Sequence, residues 1–419
     1  MARCVNLDWL EVSCDEDYSL YPCNADFFRE QGFFVHERDY GTRVWGEVFT
    51  IEDQDGHDWI EIRRAPPSGN SEFKGLTEYS CRLRVVNAQL YVKDCTQRLL
   101  AFLVRFNYTF KRIFRIDIAY DFEKFDYGDQ PARFARRYIE RKFRKINQCK
   151  LRVIGDDNWT DFDWESLSWG SQTSMVSTKM YNKSKELKTV SKQKTWIPMS
   201  WFECGLIDDP INRTKRREDG TIYEPEIWRI EFSMKSKADR WLVIENQGGK
   251  HVKKTAIPHT PDMFDSPDKL WQRFQDLAYH YFRFKIAEYN DERDKDGNLV
   301  PKRKDLCADK RLFRFDADRE FHQLDMCVSG GKPDADDEIL LRRLRNYRNK
   351  SADTKVRTAC DVLIEALETS DLRRYTSKQV WAETQALQEL LRRRMKMTEK
   401  DAIETLEQVK QDFLDYDGF

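Results

Sequence analysis

At 419 residues, with 40% hydrophobic and 13% aromatic side chains, the chain has apolar material for two or three packed domains, which excludes a largely disordered protein. Its 72 basic and 73 acidic residues leave a formal net charge of −1, so any nucleic-acid surface must be local, not global. Ten scattered cysteines with no CxxC pair, and six histidines with no His-x-His, HExxH or Cys/His zinc spacing, argue against a disulfide scaffold and most histidine-ligated metals.

The first 125 residues read as strand-rich, with runs at Cys4–Ser13, Thr42–Ile51, Asp58–Arg63 and Arg82–Val86 between Gly, Pro, Asn and Asp clusters. A helix is predicted over Cys95–Phe106, and the alternation of FRIDIAYDF predicts a strand over Phe114–Phe122. Pro131 opens a helix expected to reach Ile146, since proline at the first turn sacrifices no helical hydrogen bond. Strands are expected at Ser174–Lys183 and Ile227–Met234, a helix at Asp268–Tyr289, and a charged, flexible connection from Tyr289 to Lys304. The Gly-, Pro- and Asp-rich VSGGKPDAD stretch, Val328–Asp336, marks a domain boundary. Beyond it four helices are expected, at Asp334–Arg348, Ala352–Glu368, Ser377–Met395 and Glu399–Asp415. Their leucine spacing suits an accessory bundle or a dimer contact. The expected fold is therefore α+β, with antiparallel sheets backed by helices over 1–330 and an all-helical module over 334–419. Residues 1–125 would be the strand-rich part, and 114–235 would carry the catalytic motifs.

Three of these strands share a chemical character. Alternation puts Arg115, Asp117 and Asp121 on one face of the first, Arg229 and Glu231 on one face of the last, and Lys179, Tyr181 and Lys183 together on the middle strand. The triplet Arg-Ile-acid occurs twice, as Arg115-Ile116-Asp117 and Arg229-Ile230-Glu231, so two such strands can set Asp117 beside Glu231. Carboxylates suit Mg²⁺ or Mn²⁺, and a phenol can hold a phosphoryl group covalently. Asp117 and Glu231 are the expected direct metal ligands, followed by Glu186. Asp121 is a fourth candidate, although four residues of strand separate it from Asp117 by about 13 Å. The same pattern also fits solvated cross-strand ion pairs, and composition alone cannot choose among seventeen tyrosines. Lys179 and Lys183 favour Tyr181, because neighbouring cations stabilise a phenolate. Tyr120 falls on the apolar face of its strand. Basic clusters at Arg133–Lys145 (including Arg137 and Arg141), at Lys179–Lys194 (including Lys185 and Lys188) and at Arg213–Arg217 suit phosphate contacts, with Arg115 and Arg229 beside the carboxylates. Trp196, Trp201 and Trp241 can stack unpaired bases or fill a core.

Asp8-Trp9-Leu10, RIDIAYDF, MYNKSKEL and WRIEFSMK, in this order over residues 4 to 320, resemble the replication initiation factor family of rolling-circle plasmid initiators, filamentous-phage replication proteins and relaxases of integrative and conjugative elements. The resemblance implies a carboxylate-and-tyrosine nickase, related in architecture to the His-hydrophobe-His nucleases but without their histidine pair. Its nucleophile would fall on Tyr181 and its metal ligands on Asp117 and Glu231. The implied activity is site- and strand-specific nicking and strand transfer that starts rolling-circle replication or conjugative transfer, through a covalent 5′-phosphotyrosine. The expected partners are origin DNA (single-stranded or in a hairpin loop), a helicase and a second copy of the chain. With no apolar run of membrane length and no signal-like start, the bacterial cytoplasm is the expected location and no membrane partner is expected. A metal-dependent nuclease using water, or a DNA-binding replication or partition protein without chemistry, would share parts of this pattern.

Overall fold

The computed structural model describes residues 2–328 except 18–22, 39–41, 43, 66–75, 148, 158–161, 172–173, 190–193, 236–239, 248–250 and 315–320. The expected boundary at 328–336 and the helical module 334–419 therefore lie outside the described residues. The chain falls into two units, one of residues 1–23, 52–61 and 80–329, the other including 24–51 and 62–79.

The first unit is built on a seven-strand antiparallel run. In chain order its strands are β1 (Cys4–Glu16), β2 (Ser80–Val85), β3 (Tyr108–Phe122), β4 (Leu151–Asp157), β5 (Phe162–Trp169), β6 (Val176–Asn182) and β7 (Trp228–Lys235). They lie side by side as β2-β1-β3-β7-β6-β5-β4, so β3 and β7 occupy the middle. The α+β antiparallel fold read from the sequence is the one observed.

Alternation along β3 explains its central place. Ile116, Ile118, Tyr120 and Phe122 are fully buried on one face. There α5 (Pro267–Tyr281) brings Trp271 and Phe274 to stack on Tyr120, with ring centroids 5.3 and 4.5 Å away. Ser266 caps that helix by accepting from the Lys269 N–H, and Pro267 sits in its first turn. α1 (Cys95–Arg105) lies where its helix was expected. On the opposite face of β3 the polar residues are also enclosed, since Asp117 and Asp121 are only 2% and 1% exposed. That excludes the solvated ion-pair face that the alternation also allowed.

Some boundaries moved for tertiary reasons. α2 (Pro131–Ile139) stops short of Ile146, because Arg141 adopts φ +62° and Phe143–Lys145 turns into a strand paired with Phe284–Ile286. That pairing places Phe143 against Phe134, which adds to an aromatic cluster with Phe282 and Phe284. α5 likewise ends at Tyr281, before Phe284–Ile286. The stretch expected to be a flexible connection contains a hairpin of Tyr289–Arg293 with Leu299–Pro301. The Asp294 carboxylate accepts two backbone N–H groups in its turn, and Gly297 takes φ +80°. Strands β4 and β5 had no counterpart in the sequence reading.

In the second unit, helix Ala25–Glu30 is capped by Asn24, and Val35–Glu37 pairs with Phe49–Ile51. Phe28 packs against Phe33 and Phe49. Among the described residues no helix is long and apolar enough to cross a membrane.

Candidate functional site

The polar face of the sheet centre gathers residues from four strands. Ser233 lies opposite Asp117 and Glu231 opposite Ala119, so Glu231 and Asp117 are diagonal neighbours on one face of β7 and β3. Across the other edge of β7, Lys179 lies opposite Glu231 and Tyr181 opposite Arg229. From β1 comes Asp8, at a register shift between Leu7 and Trp9. The extra residue of such a bulge re-aims a side chain, and here it turns Asp8 onto the polar face to meet Arg229.

Tyr181, 7% exposed, donates its phenolic hydrogen to Glu231 Oε2 at 3.1 Å. Lys183 Nζ stands 3.5 Å from the phenolic oxygen, and Lys179 Nζ lies 4.3 Å from the ring centre. Burial, then the Glu231 charge, hold the phenol well above its ordinary range. Two lysines were expected to favour phenolate, but Lys183 is itself lowered by burial and by Arg229. The phenol is therefore neutral at rest, with an acceptor already engaged.

That acceptor is unusual. Burial, together with the charges of Asp117 and Asp8, pushes the Glu231 carboxyl up to about 7. Asp117 is raised as well, by burial first, against the lowering contact of Arg115. Asp8 goes the other way: burial would raise it, but Arg229 and Lys183 hold it below the usual carboxylate range. Its Oδ1 accepts from Arg229 at 2.8 Å, Tyr91 at 2.7 Å and Asn87 at 3.3 Å.

Asp8 raises the proton affinity of Asp117, and both raise that of Glu231; the three are hard oxygen donors of the kind that suits Mg²⁺ or Mn²⁺. Their oxygens do not converge within 4.8 Å of one another among the described residues. Arg115 accounts for part of this, since it engages both oxygens of Asp117, through Nε at 3.1 Å and through Nη2. Seating an ion on all three requires Asp117 to exchange that guanidinium for the ion.

The other expected ligands lie elsewhere. Asp121 is engaged by Arg229 Nε and Nη2 at 2.6 and 2.7 Å, and accepts the Trp201 indole N–H at 2.7 Å. Its strand offset from Asp117 and this full set of partners assign it to holding Arg229. Glu186 lies in the first turn of α3 (Lys183–Thr189) and pairs with Lys183 and, at 3.1 Å, with Lys194, which keep it below its ordinary range despite burial. It thus balances the lysines near Tyr181 and does not join Asp117.

The expected DNA-contacting residues divide similarly. Arg115 stays at the site and lies 4.3 Å over the Trp9 ring. Arg229 is fully buried and bonds Asp121, Asp8 and Tyr91, which makes it the scaffold of the site and removes it from any DNA surface. Lys185 is half-buried on α3, and Lys188 pairs with Glu224 at 2.8 Å. Arg137 and the exposed Arg141 belong to the α2 layer, across the sheet from Tyr181, where Arg137 lies over Phe143. Tyr120 is wholly buried in that same aromatic layer. On α4 (Trp196–Glu203), Trp201 is a buried partner of Asp121, and Trp196 donates to Asn87 at 2.8 Å while packing on Ala88, Val92 and Cys327. The Trp241 side chain is outside what is described.

Asp8 and Tyr91 are the residues the sequence reading did not assign to the site. An aspartate inside the apolar run VNLDWL is the signal that points to Asp8. Tyr91 carried none, because it reaches Arg229 only through the fold.

The chain matches no family model and no curated protein. Among solved structures it is similar to a rolling circle replication initiator protein from Geobacillus stearothermophilus, at 11% identity and a TM-score of 0.36, over 72% of this chain and 93% of that one.

Proposed function

We propose that this protein is a tyrosine-dependent DNA nickase that starts rolling-circle replication or strand transfer of a mobile element, with origin DNA as its substrate. The observation that carries the reading is the Tyr181 phenol donating to Glu231 at 3.1 Å, beside the buried Lys183 and Asp117, the partly buried Asp8 and the exposed Lys179. The motifs that resemble the replication initiation factor family are the segments that build this group.

In the proposed reaction the Tyr181 oxygen bonds to the scissile phosphorus as the P–O3′ bond breaks. Its proton passes to Glu231 Oε2, and from that carboxyl to the departing 3′ oxygen, which leaves as a hydroxyl. The 5′-phosphate stays on Tyr181, so the bond energy is kept and the strand can be rejoined by reversal. Lys183, at 3.5 Å, offsets charge on the phenolic oxygen, and Arg115 and Lys179 are the nearby cations for the phosphate. Asp8, Asp117 and Glu231 would hold Mg²⁺ or Mn²⁺, which when bound supplies Lewis-acid neutralisation of the non-bridging oxygens.

The test compares nicking of one origin oligonucleotide as a single strand, as a hairpin and as a relaxed linear duplex. An in-line approach needs an unstacked phosphate, so the first two should react and the duplex should not. A covalent 5′ adduct on Tyr181 is expected. Equal rates on all three with no adduct would show a hydrolytic metal-dependent nuclease instead. Binding with no metal-dependent cleavage would leave only a DNA-binding protein.

A further inference from the structure

Behind the sheet, in the layer of α2, lies a pocket of about 630 Å³ that the nicking chemistry does not use. Tyr138, Arg144, Lys145, Asn147, Lys150 and Lys304 line it, together with Cys149. Tyr138 reaches it from the apolar face, where its hydroxyl accepts the Trp169 indole N–H at 3.1 Å. Trp169 lies opposite Thr178, whose side chain points away from the face of Lys179 and Tyr181.

Among the described residues, four cations and no carboxylate line this space. Their hydrogen bonds go to neutral groups: Arg144 to the Lys302 carbonyl at 3.1 Å, and Lys304 to the Ile146 carbonyl at 3.3 Å. Among the described residues none of the four forms a salt bridge, whereas Arg3, Arg115, Lys183, Lys194, Arg229 and Lys285 of the same unit do. Lys145 is 8% exposed and its ammonium meets the Cys149 thiol. Burial, with Lys304 nearby, lowers that ammonium, which is the mark of a cation lacking an anion. The Tyr138 hydroxyl, having accepted from Trp169, still has its own hydrogen to donate.

We infer that this pocket binds the phosphate groups of a nucleotide unit, at a site separate from the Tyr181 centre. A planar guanidinium, three ammonium groups, a phenol and an amide provide many donors and no competing acceptor charge, which suits an oxyanion with several oxygens. The volume exceeds that of one phosphate and falls in the range of small-molecule sites, so a whole nucleotide fits. The unit comes either from a free nucleotide or from a DNA backbone crossing the back of the sheet. The inference goes beyond the nicking reading and does not depend on it.

Cys149 is the reporter, because it is the exposed one among the described cysteines. The full-length protein is treated with N-ethylmaleimide, and modification of Cys149 is followed by mass spectrometry with inorganic pyrophosphate, with ATP, or with a nick-site-free duplex. Sodium sulfate at matched ionic strength is the control. Phosphate-bearing ligands should slow modification about tenfold, and sulfate should not. Protection by pyrophosphate and ATP identifies a free nucleotide as the source, whereas protection by the duplex alone identifies the backbone. The double variant Lys150→Gln/Lys304→Gln changes an exposed and a half-buried position and should lose this protection while keeping its thermal midpoint. Absence of protection by all three ligands, protection by sulfate to the same degree, or protection retained in a folded double variant overturns the inference.

Discussion

Replacing Glu231 with Gln keeps the shape of the side chain and its ability to accept from Tyr181, and removes one negative charge beside Asp117 and Asp8. The Glu231 carboxyl is pushed from 4.5 to about 7 by burial and by those two neighbours. At about 1.4 kcal/mol for each tenfold change in proton affinity, this amounts to about 3 kcal/mol. The sign follows from linkage. The folded state holds this proton more tightly than the unfolded chain does, so the contribution is full below pH 4.5 and is lost as pH rises through about 7. The raised Asp117 acts in the same direction, whereas the depressed Asp8 titrates below this window. Metal-free wild type should therefore lose thermal stability between pH 5 and 8, and Glu231→Gln should lose less, keeping only the part due to Asp117. Above pH 7 the variant should melt higher by about 6–12 °C, using about 2–4 °C per kcal/mol for a large domain. Mn²⁺ should restore the wild type, because a ligand that binds only the folded state stabilises it, and should do little for the variant. Melting curves by circular dichroism, with EDTA or with Mn²⁺, check each step. If wild type and variant track each other in EDTA from pH 5 to 8, the carboxylates do not repel as described and the metal assignment falls with them.

Tyr181→Phe should abolish nicking and adduct formation, at a stability cost of about 1 kcal/mol for the lost hydrogen bond to Glu231. An adduct that persists on gel electrophoresis would move the nucleophile elsewhere. Arg229→Met strips Asp121 and Asp8 of their buried partner and should cost about 3–5 kcal/mol in urea denaturation, so a near-neutral result would refute its scaffold role. Asp8→Asn preserves the acceptor for Arg229 and Tyr91 and should weaken Mn²⁺ binding about tenfold or more by calorimetry, with unchanged affinity removing Asp8 from the ligand set. Nicking at subsaturating Mn²⁺ should fall as pH drops, since a proton on Glu231 blocks acceptance of the Tyr181 proton and competes with the ion, and more Mn²⁺ should move the fall to lower pH. A rate that is flat from pH 5 to 8 at subsaturating Mn²⁺ would exclude Glu231 as the base.

The sequence by itself determined which side chains share a face at the sheet centre. Period-two alternation in RIDIAYDF and WRIEFSMK assigned Asp117 and Glu231 to a polar face and Tyr120 to an apolar one, and the strands bear this face assignment out. Alternation is local, so it is written in every strand whatever its neighbours are. Register between strands is not local, and it separated residues that looked equivalent. The two Arg-Ile-acid triplets had the same pattern, yet antiparallel pairing set Asp121 against Arg229 and turned both into a buried, mutually satisfied pair. The Asp8 bulge and the early end of α2 were likewise decided by long-range contacts, whereas the hairpin at 289–301 rests on its own local turn. Burial was also a tertiary outcome. A lysine beside a phenol lowers its proton affinity in water, but in this enclosed face desolvation and Glu231 outweigh Lys179 and Lys183, so the tertiary structure leaves Tyr181 neutral and places its proton acceptor on a different strand.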